Sequence, residues 1–283
     1  MQLTSIRRYP VKSMRGADLD TAAVEPWGLA DDRRWMVVDE DGRFVTAREL
    51  PRLLLVTPTV TAGGLCLDAA DAPPLEVARP ADGGRTVTVW RSTFEAYDAG
   101  PAAAAWLSDL LGRPLRLVHL ADPTVRASDP AYSREGDVVS LADGYPLLLA
   151  TEASLGALND TVLESSGGAA DPLPMTRFRP NVVVGGSAPW TEDDWRRVRI
   201  GEATFRVVKG CARCVMTTKD PETAEGGKEP LASLARTRRW DGQTWFGVNL
   251  VPDALDPAHR PLLRAGDGVE VLDVVEPGGG PIR

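Results

Sequence analysis

The sequence predicts an α+β chain, mostly β and barrel-like, with a few short helices. Three observations predict it. Breakers are frequent, with 27 Gly and 23 Pro among 283 residues, which leaves little room for long helices. The apolar runs are short and bounded by Gly, Pro and Asp, as strands joined by turns require. Few segments carry helix start and stop signals together.

The elements follow in order. Trp35 to Asp39, a turn at Glu40-Asp41-Gly42 and a return at Arg43 to Thr46 read as a hairpin. Leu53 to Val56, Leu65 to Leu67 and Thr86 to Trp90 read as further strands. Pro101 to Leu111 reads as a helix: Pro opens it, an alanine run fills it, and Gly112 stops it. Leu115 to Val118 is strand-like. Ala121 to Asp137 is polar and aperiodic, a domain boundary or mobile loop. Thr151 caps a helix to about Leu163, and Asn181 to Val184 is a buried strand. Arg197 to Ile200 and Thr204 to Val208 form a hairpin leading to two cysteines. A short helix from Pro230 to about Arg239 and strands at Gly247 to Val251 and Val269 to Leu272 close the chain. The expected division is a first domain at 1–120, a second at 121–275, and a flexible tail at 276–283.

Composition narrows the function. A net charge of -8 argues against a general nucleic-acid binder, though it permits a local basic pocket. No apolar stretch reaches membrane-spanning length, and the N-terminus has no basic-then-apolar signal pattern. Three cysteines and no export signal point to the reducing cytoplasm.

Two of those cysteines, Cys211 and Cys214, stand three apart between Lys209 and Val215, with Arg213 between them. Neighbouring cations lower a thiol's pKa, and a thiolate is both nucleophile and soft ligand. Zinc would need four ligands, and the chain offers only Cys66, Cys211, Cys214, His119 and His259. A thioredoxin-like pair would open a helix, whereas Val215 to Thr218 reads as a β-branched continuation. Two inert thiols are the third reading.

Three basic elements accompany the thiols. In Arg179-Pro180-Asn181, Arg179 and Asn181 would project to one side of an extended chain. Between Pro10 and Gly16, Lys12, Ser13 and Arg15 could cradle a phosphate, without a Walker spacing. Asp31 to Arg34 is a charge cluster before Trp35.

Together these pieces resemble the MOSC-domain proteins that carry an N-terminal MOSC β-barrel domain, among them the mitochondrial amidoxime-reducing component and its bacterial relatives. The matching residues are Tyr9 to Ser13, Asp32-Arg33, Thr46 to Arg48, Pro51 to Leu53, Phe178 to Asn181, Glu192 to Trp195, Ile200-Gly201, Cys211 to Cys214, Asp220-Pro221, Pro230-Leu231 and Phe246-Gly247.

The resemblance implies an N-terminal MOSC β-barrel-like domain followed by a MOSC β-barrel, and a molybdenum–molybdopterin cofactor. It implies Cys214 as the metal ligand and catalytic centre. Lys12, Ser13, Arg33, Arg179 and Asn181 would hold the pterin and its phosphate, with Arg213 beside the metal. A buried phosphate needs such cations and N–H donors to offset its desolvation. At Gly144 and Tyr145 the mitochondrial members carry hydroxyl residues.

The implied activity is reduction of small N-hydroxylated compounds. Electrons would come from a separate protein of ferredoxin or flavin-reductase type, since three cysteines cannot ligate an iron–sulfur cluster of this chain's own. The expected setting is cytoplasmic, with no membrane and no nucleic acid. The alternative is a sulfur or molybdenum-cofactor carrier, with a plain anion-binding module as a third reading. Pyridoxal-phosphate-like binding is a secondary expectation for a phosphate cradle of this kind.

Overall fold

A sheet of nine strands dominates the structure. The computed structural model describes residues 1–253, 255 and 260–275. The expected tail at 276–283 and His259 lie outside the described residues.

Eight strands of that sheet run in the order Val269–Val274, Trp195–Ile200, Ala203–Ala212, Gln243–Pro252, Leu147–Thr151, Val182–Gly185, Gln2–Arg8, Ala17–Leu19. Arg239–Trp240 pairs separately with Gln243–Pro252. The pairings are antiparallel except between Leu147–Thr151 and Val182–Gly185. Parallel neighbours need a crossover, and helix Glu152–Ser165 supplies it. Thr151 caps that helix, its hydroxyl accepting from the Ser154 N–H at 3.1 Å.

Strand Gln2–Arg8 comes from the first half of the sequence, yet it pairs with Val182–Gly185 of the second. Leu3 and Ile6 thereby join a core with Leu149, Val184, Phe205 and Leu250. The segment expected as the first domain thus contributes strands to the sheet of the second.

Smaller sheets complete the β structure. Trp35–Val38, Arg116–His119, Ser92–Asp98 and Gly84–Val89 form one, and Thr57–Thr61, Gly64–Ala69 and Ala72–Ala78 another. Thr21–Glu25 pairs with Leu262–Arg264 and with Gly28–Leu29. Helix Pro101–Leu111 covers the N-terminal core with Trp106, Leu107, Leu110 and Leu111. Each such side chain contributes roughly 1.5–3 kcal/mol of burial. Gly112 ends the helix at φ 75, the left-handed cap that glycine takes without Cβ strain. The fold is α+β and mostly β, as the sequence indicates.

Three local expectations need correction. Leu53 to Val56 is not a strand: Pro51–Leu55 is a 3₁₀ turn. An unbroken apolar run encodes no period, and Pro51 at its first position favours the helical start. Ala121 to Asp137 does not hang free. Its Arg126 is buried, and the guanidinium donates to the carbonyls of Ser140, Ala142 and Asp143. Val215 to Thr218 is a 3₁₀ turn rather than extended chain. The hydroxyls of Thr217 and Thr218 donate back to the carbonyls of Cys214 and Val215, a local bonding that overrides β propensity.

Candidate functional site

The ends of several strands and the loops between them enclose a pocket of about 210 Å3. Lys12, Ser13, Arg33, Arg179, Asn181, Arg213 and Cys214 all line it. The residues singled out in sequence therefore meet at one place, although they are scattered over some two hundred positions of chain. Cys211 lines it too. Cys66 does not: it lies on strand Gly64–Ala69. His119 packs against Trp35 at 4.6 Å, and burial pulls its pKa down to about 3. The zinc reading loses those ligands, and the described residues hold no cluster fit for a metal of that kind.

Tyr9 organises the cationic wall. Its buried ring is flanked by the guanidinium carbons of Arg179 at 4.1 Å and Arg33 at 4.4 Å. Both charges are thus held against one aromatic face system. Gly16 makes room for the ring, since a Cβ there would meet it at 2.5 Å. Arg33 is fixed by Asp32 at 2.6 Å and by the Asn181 amide oxygen at 2.8 Å. Asn181 itself donates to the Arg7 carbonyl at 3.2 Å. Its amide clamps Arg33 and the strand entrance.

The backbone here is strained. Ser13, Arg33 and Arg179 take φ of 69, 46 and 56. Left-handed non-glycine residues concentrate where a site over-determines them. Arg179 therefore does not lie in extended chain with Asn181, as expected. It reaches the pocket from a left-handed bend before Pro180, and Asn181 leads into strand Val182–Gly185.

Lys12 is buried and donates to Asp143 at 2.5 Å and to the Leu141 carbonyl at 2.8 Å. Burial lowers its pKa to about 8, against the pull of Asp143. Burial opposes ionisation of Asp143 as well, but the charges of Lys12 and Arg48 hold its carboxyl far below the usual carboxylate range.

The thiols have separate partners. Arg48 Nε donates to Cys214 Sγ at 3.4 Å, and its Nη2 reaches Asp143 at 2.6 Å. Arg213 turns to the other sulfur, with Nη1 at 2.6 Å from Cys211 Sγ and Nη2 on the Phe178 carbonyl. Arg48, Asp143 and Arg177, which also line the pocket, were missed as site residues in the sequence. Thr46-Ala47-Arg48 stood among the matching residues, so a signal for Arg48 existed. Asp143 stands next to Gly144 and Tyr145, already noted beside the family's cofactor-contacting loop, but no sequence feature assigned the carboxylate itself a role.

The arrangement suits an anion attached to a soft metal. Lys12, Arg33, Arg48, Arg177, Arg179 and Arg213 outnumber Asp143 along the wall, in a protein whose net charge is -8. Arg179 stacks on Tyr9, and its guanidinium donates to no acceptor among the described residues. The Arg179 guanidinium, free to donate, can meet the oxygens of a phosphate. The Cys211 and Cys214 sulfurs in the same pocket are the donor type that a sulfur-rich metal centre accepts. The residues present therefore fit a phosphate-bearing molybdenum cofactor.

Comparison with known proteins gives the chain's relatives. A MOSC N-terminal beta barrel domain matches residues 1–114, and a MOSC domain matches residues 136–270. The chain is 32% identical over 278 residues to mitochondrial amidoxime-reducing component 1 of Xenopus laevis, covering 92% of this chain and 79% of that protein. The protein of the same name from Homo sapiens is 34% identical over 246 residues, covering 82% and 71%. Molybdenum cofactor sulfurase of Oryza sativa subsp. japonica is 31% identical over 267 residues, which span 88% of this chain but 32% of that protein. None of the described helices is long and apolar enough to cross a membrane.

Proposed function

The chain belongs to the family of MOSC-domain proteins with an N-terminal MOSC β-barrel domain, and on that premise we propose that it is a molybdenum-cofactor-dependent reductase of N-hydroxylated compounds. The reaction cleaves an N–O bond with two electrons and two protons, leaving N–H and water. A separate electron-transfer protein delivers the electrons. The observation that carries the reading is one sulfur, Cys214, inside a wall of cations with unspent donors.

When bound, the molybdenum cofactor would supply the redox chemistry at the N–O bond. Cys214 would hold its metal. Arg48, donating to that sulfur, would hold it in place toward the metal. Arg179 has free donors for the phosphate, while Arg33, Ser13 and Lys12 shape the cradle around it. Asn181 positions Arg33. Asp143 stays ionised between Lys12 and Arg48, so it orients these cations and is no proton donor.

A carrier of sulfur or cofactor is the second reading, favoured by the similarity to molybdenum cofactor sulfurase. The match spans about a third of that protein, against most of the amidoxime-reducing component, and this supports the reductase. Expression in a cofactor-competent host tests both. The reductase predicts near-stoichiometric molybdenum and turnover of an amidoxime with a reduced dye. Cys214→Ser should abolish turnover in a folded protein. Cofactor passed to an apo-enzyme without turnover would favour the carrier, and a chain that stays empty on reconstitution would end both readings.

A further inference from the structure

Trp90 stands where a tryptophan is costly. Strands Gly84–Val89 and Ser92–Asp98 pair with Val89 opposite Ser92, so Trp90-Arg91 is a two-residue hairpin connection. Its first position takes φ 54, and such connections favour Gly, Asn or Asp there. The side chain gains little burial in return, being 52% exposed. An indole kept at a strained, exposed position is a candidate for binding.

Its neighbours join it to the pocket. The Arg48 guanidinium carbon lies 5.0 Å from the indole centroid, and the same Arg48 donates to Cys214. The indole N–H reaches Asp143 at 3.4 Å. Phe44 packs against Trp90 at 5.0 Å with a tilt of 59°, and Lys12 lies 5.6 Å from the Phe44 ring. Trp90 is therefore one side chain removed from the open sulfur, and it borders the wall formed by Lys12, Asp143 and Arg48.

We propose that Trp90 determines substrate specificity by stacking flat, conjugated, uncharged N-hydroxylated compounds, of which an aromatic amidoxime is the simplest. The inference rests on the reductase reading above. An indole face favours a planar π system. Arg48 and Lys12 together outweigh the one charge of Asp143 beside the indole, which disfavours a cation and tolerates a neutral N–OH group. Reduction of an amidoxime yields an amidine that takes up a proton, so the same charges repel the product.

Trp90→Asn and Trp90→Phe test the idea, since asparagine suits a left-handed backbone and phenylalanine keeps a ring. Benzamidoxime and hydroxylamine are the paired substrates, with reduced methyl viologen as donor. Binding of benzamidoxime is measured separately by calorimetry, and molybdenum per chain is recorded for each protein. We expect Trp90→Asn to raise the Kd and lower kcat/KM for benzamidoxime about tenfold. Hydroxylamine turnover, molybdenum content and melting temperature should stay unchanged, and Trp90→Phe should recover most of the loss. Equal losses on both substrates, or an unchanged Kd, would overturn the proposal. Should the fully loaded wild type reduce neither substrate, the reductase reading falls, while calorimetry still decides whether Trp90 binds the aromatic ligand.

Discussion

Arg48 Nε lies 3.4 Å from Cys214 Sγ, which joins two residues 166 positions apart at the mouth of the pocket. The same guanidinium holds Asp143 at 2.6 Å. Burial opposes the charge on Arg48, but the neighbouring anions raise its pKa, so it stays cationic throughout the useful pH range. Arg48→Ala should leave the fold intact and lower turnover ten- to thirtyfold, the effect of losing a charge-assisted hydrogen bond of roughly 1.5–2 kcal/mol. Molybdenum content measured beside kcat separates loss of cofactor from loss of rate. Unchanged kcat at full loading would remove Arg48 from the chemistry.

Arg179 has charge and position but no acceptor among the described residues. Arg179→Ala should therefore cost the free protein little stability. Its affinity for the phosphate-bearing cofactor should fall by tens to a hundredfold, as expected for charge-assisted bonds to phosphate. Equilibrium dialysis against released molybdopterin reads the affinity, and thermal melting reads the stability. A large drop in melting temperature with unaltered affinity would assign the residue to the scaffold.

Lys12 titrates inside the working range. Its pKa is lowered by burial to about 8, against about 10.4 in an unfolded chain. Between these values the unfolded state holds more protons, so the contribution of Lys12 to stability rises with pH. The change is about 3 kcal/mol across the window. Phosphate binding should weaken over the same interval as the charge is lost. Lys12→Met should flatten both trends between pH 8 and 10, as followed by urea unfolding and by phosphate titration. Parallel curves for the two proteins would show that Lys12 does not titrate there.

Glu192 runs in the opposite sense. It is fully buried, accepting from Ser154 at 2.9 Å and Thr151 at 3.2 Å, while its Oε1 has no partner among the described residues. Burial raises its pKa to about 7, above the unfolded value of about 4.3. The folded state then holds the extra proton, and stability falls as pH rises from about 4.5 to 7. Glu192→Gln should remove that fall and gain about 3 kcal/mol at pH 8 relative to wild type. Melting curves at pH 5 and pH 8 decide it.

The sequence made some features plain because local chemistry determines them. Pro101 and Gly112 bracket a helix whose ends need nothing else, and Thr151 announces its own cap. The cysteine pair stood out because thiols are few. Features set by distant partners were hidden. Gln2–Arg8 was not read as an element at all, and pairing with Val182–Gly185 makes it an interior strand of the large sheet. Asp143 gains its meaning from Lys12 and Arg48, which lie 131 and 95 positions away. Arg126 sat in a segment read as mobile because its acceptors are backbone carbonyls, which leave no trace in side-chain patterns. Trp90 passed as the end of a strand, since backbone dihedrals at a hairpin tip are not written in composition.

The placement of Gln2–Arg8 also fixes an order of events in synthesis. Lys12, Ser13 and Arg33 leave the ribosome early, but the strand that carries them to the pocket waits for Val182–Gly185 to pair with. The sulfur at 214 emerges later still. Any group that this pocket holds can be captured only by a nearly finished polypeptide, so a shortage of it would leave complete, empty chains rather than stalled ones.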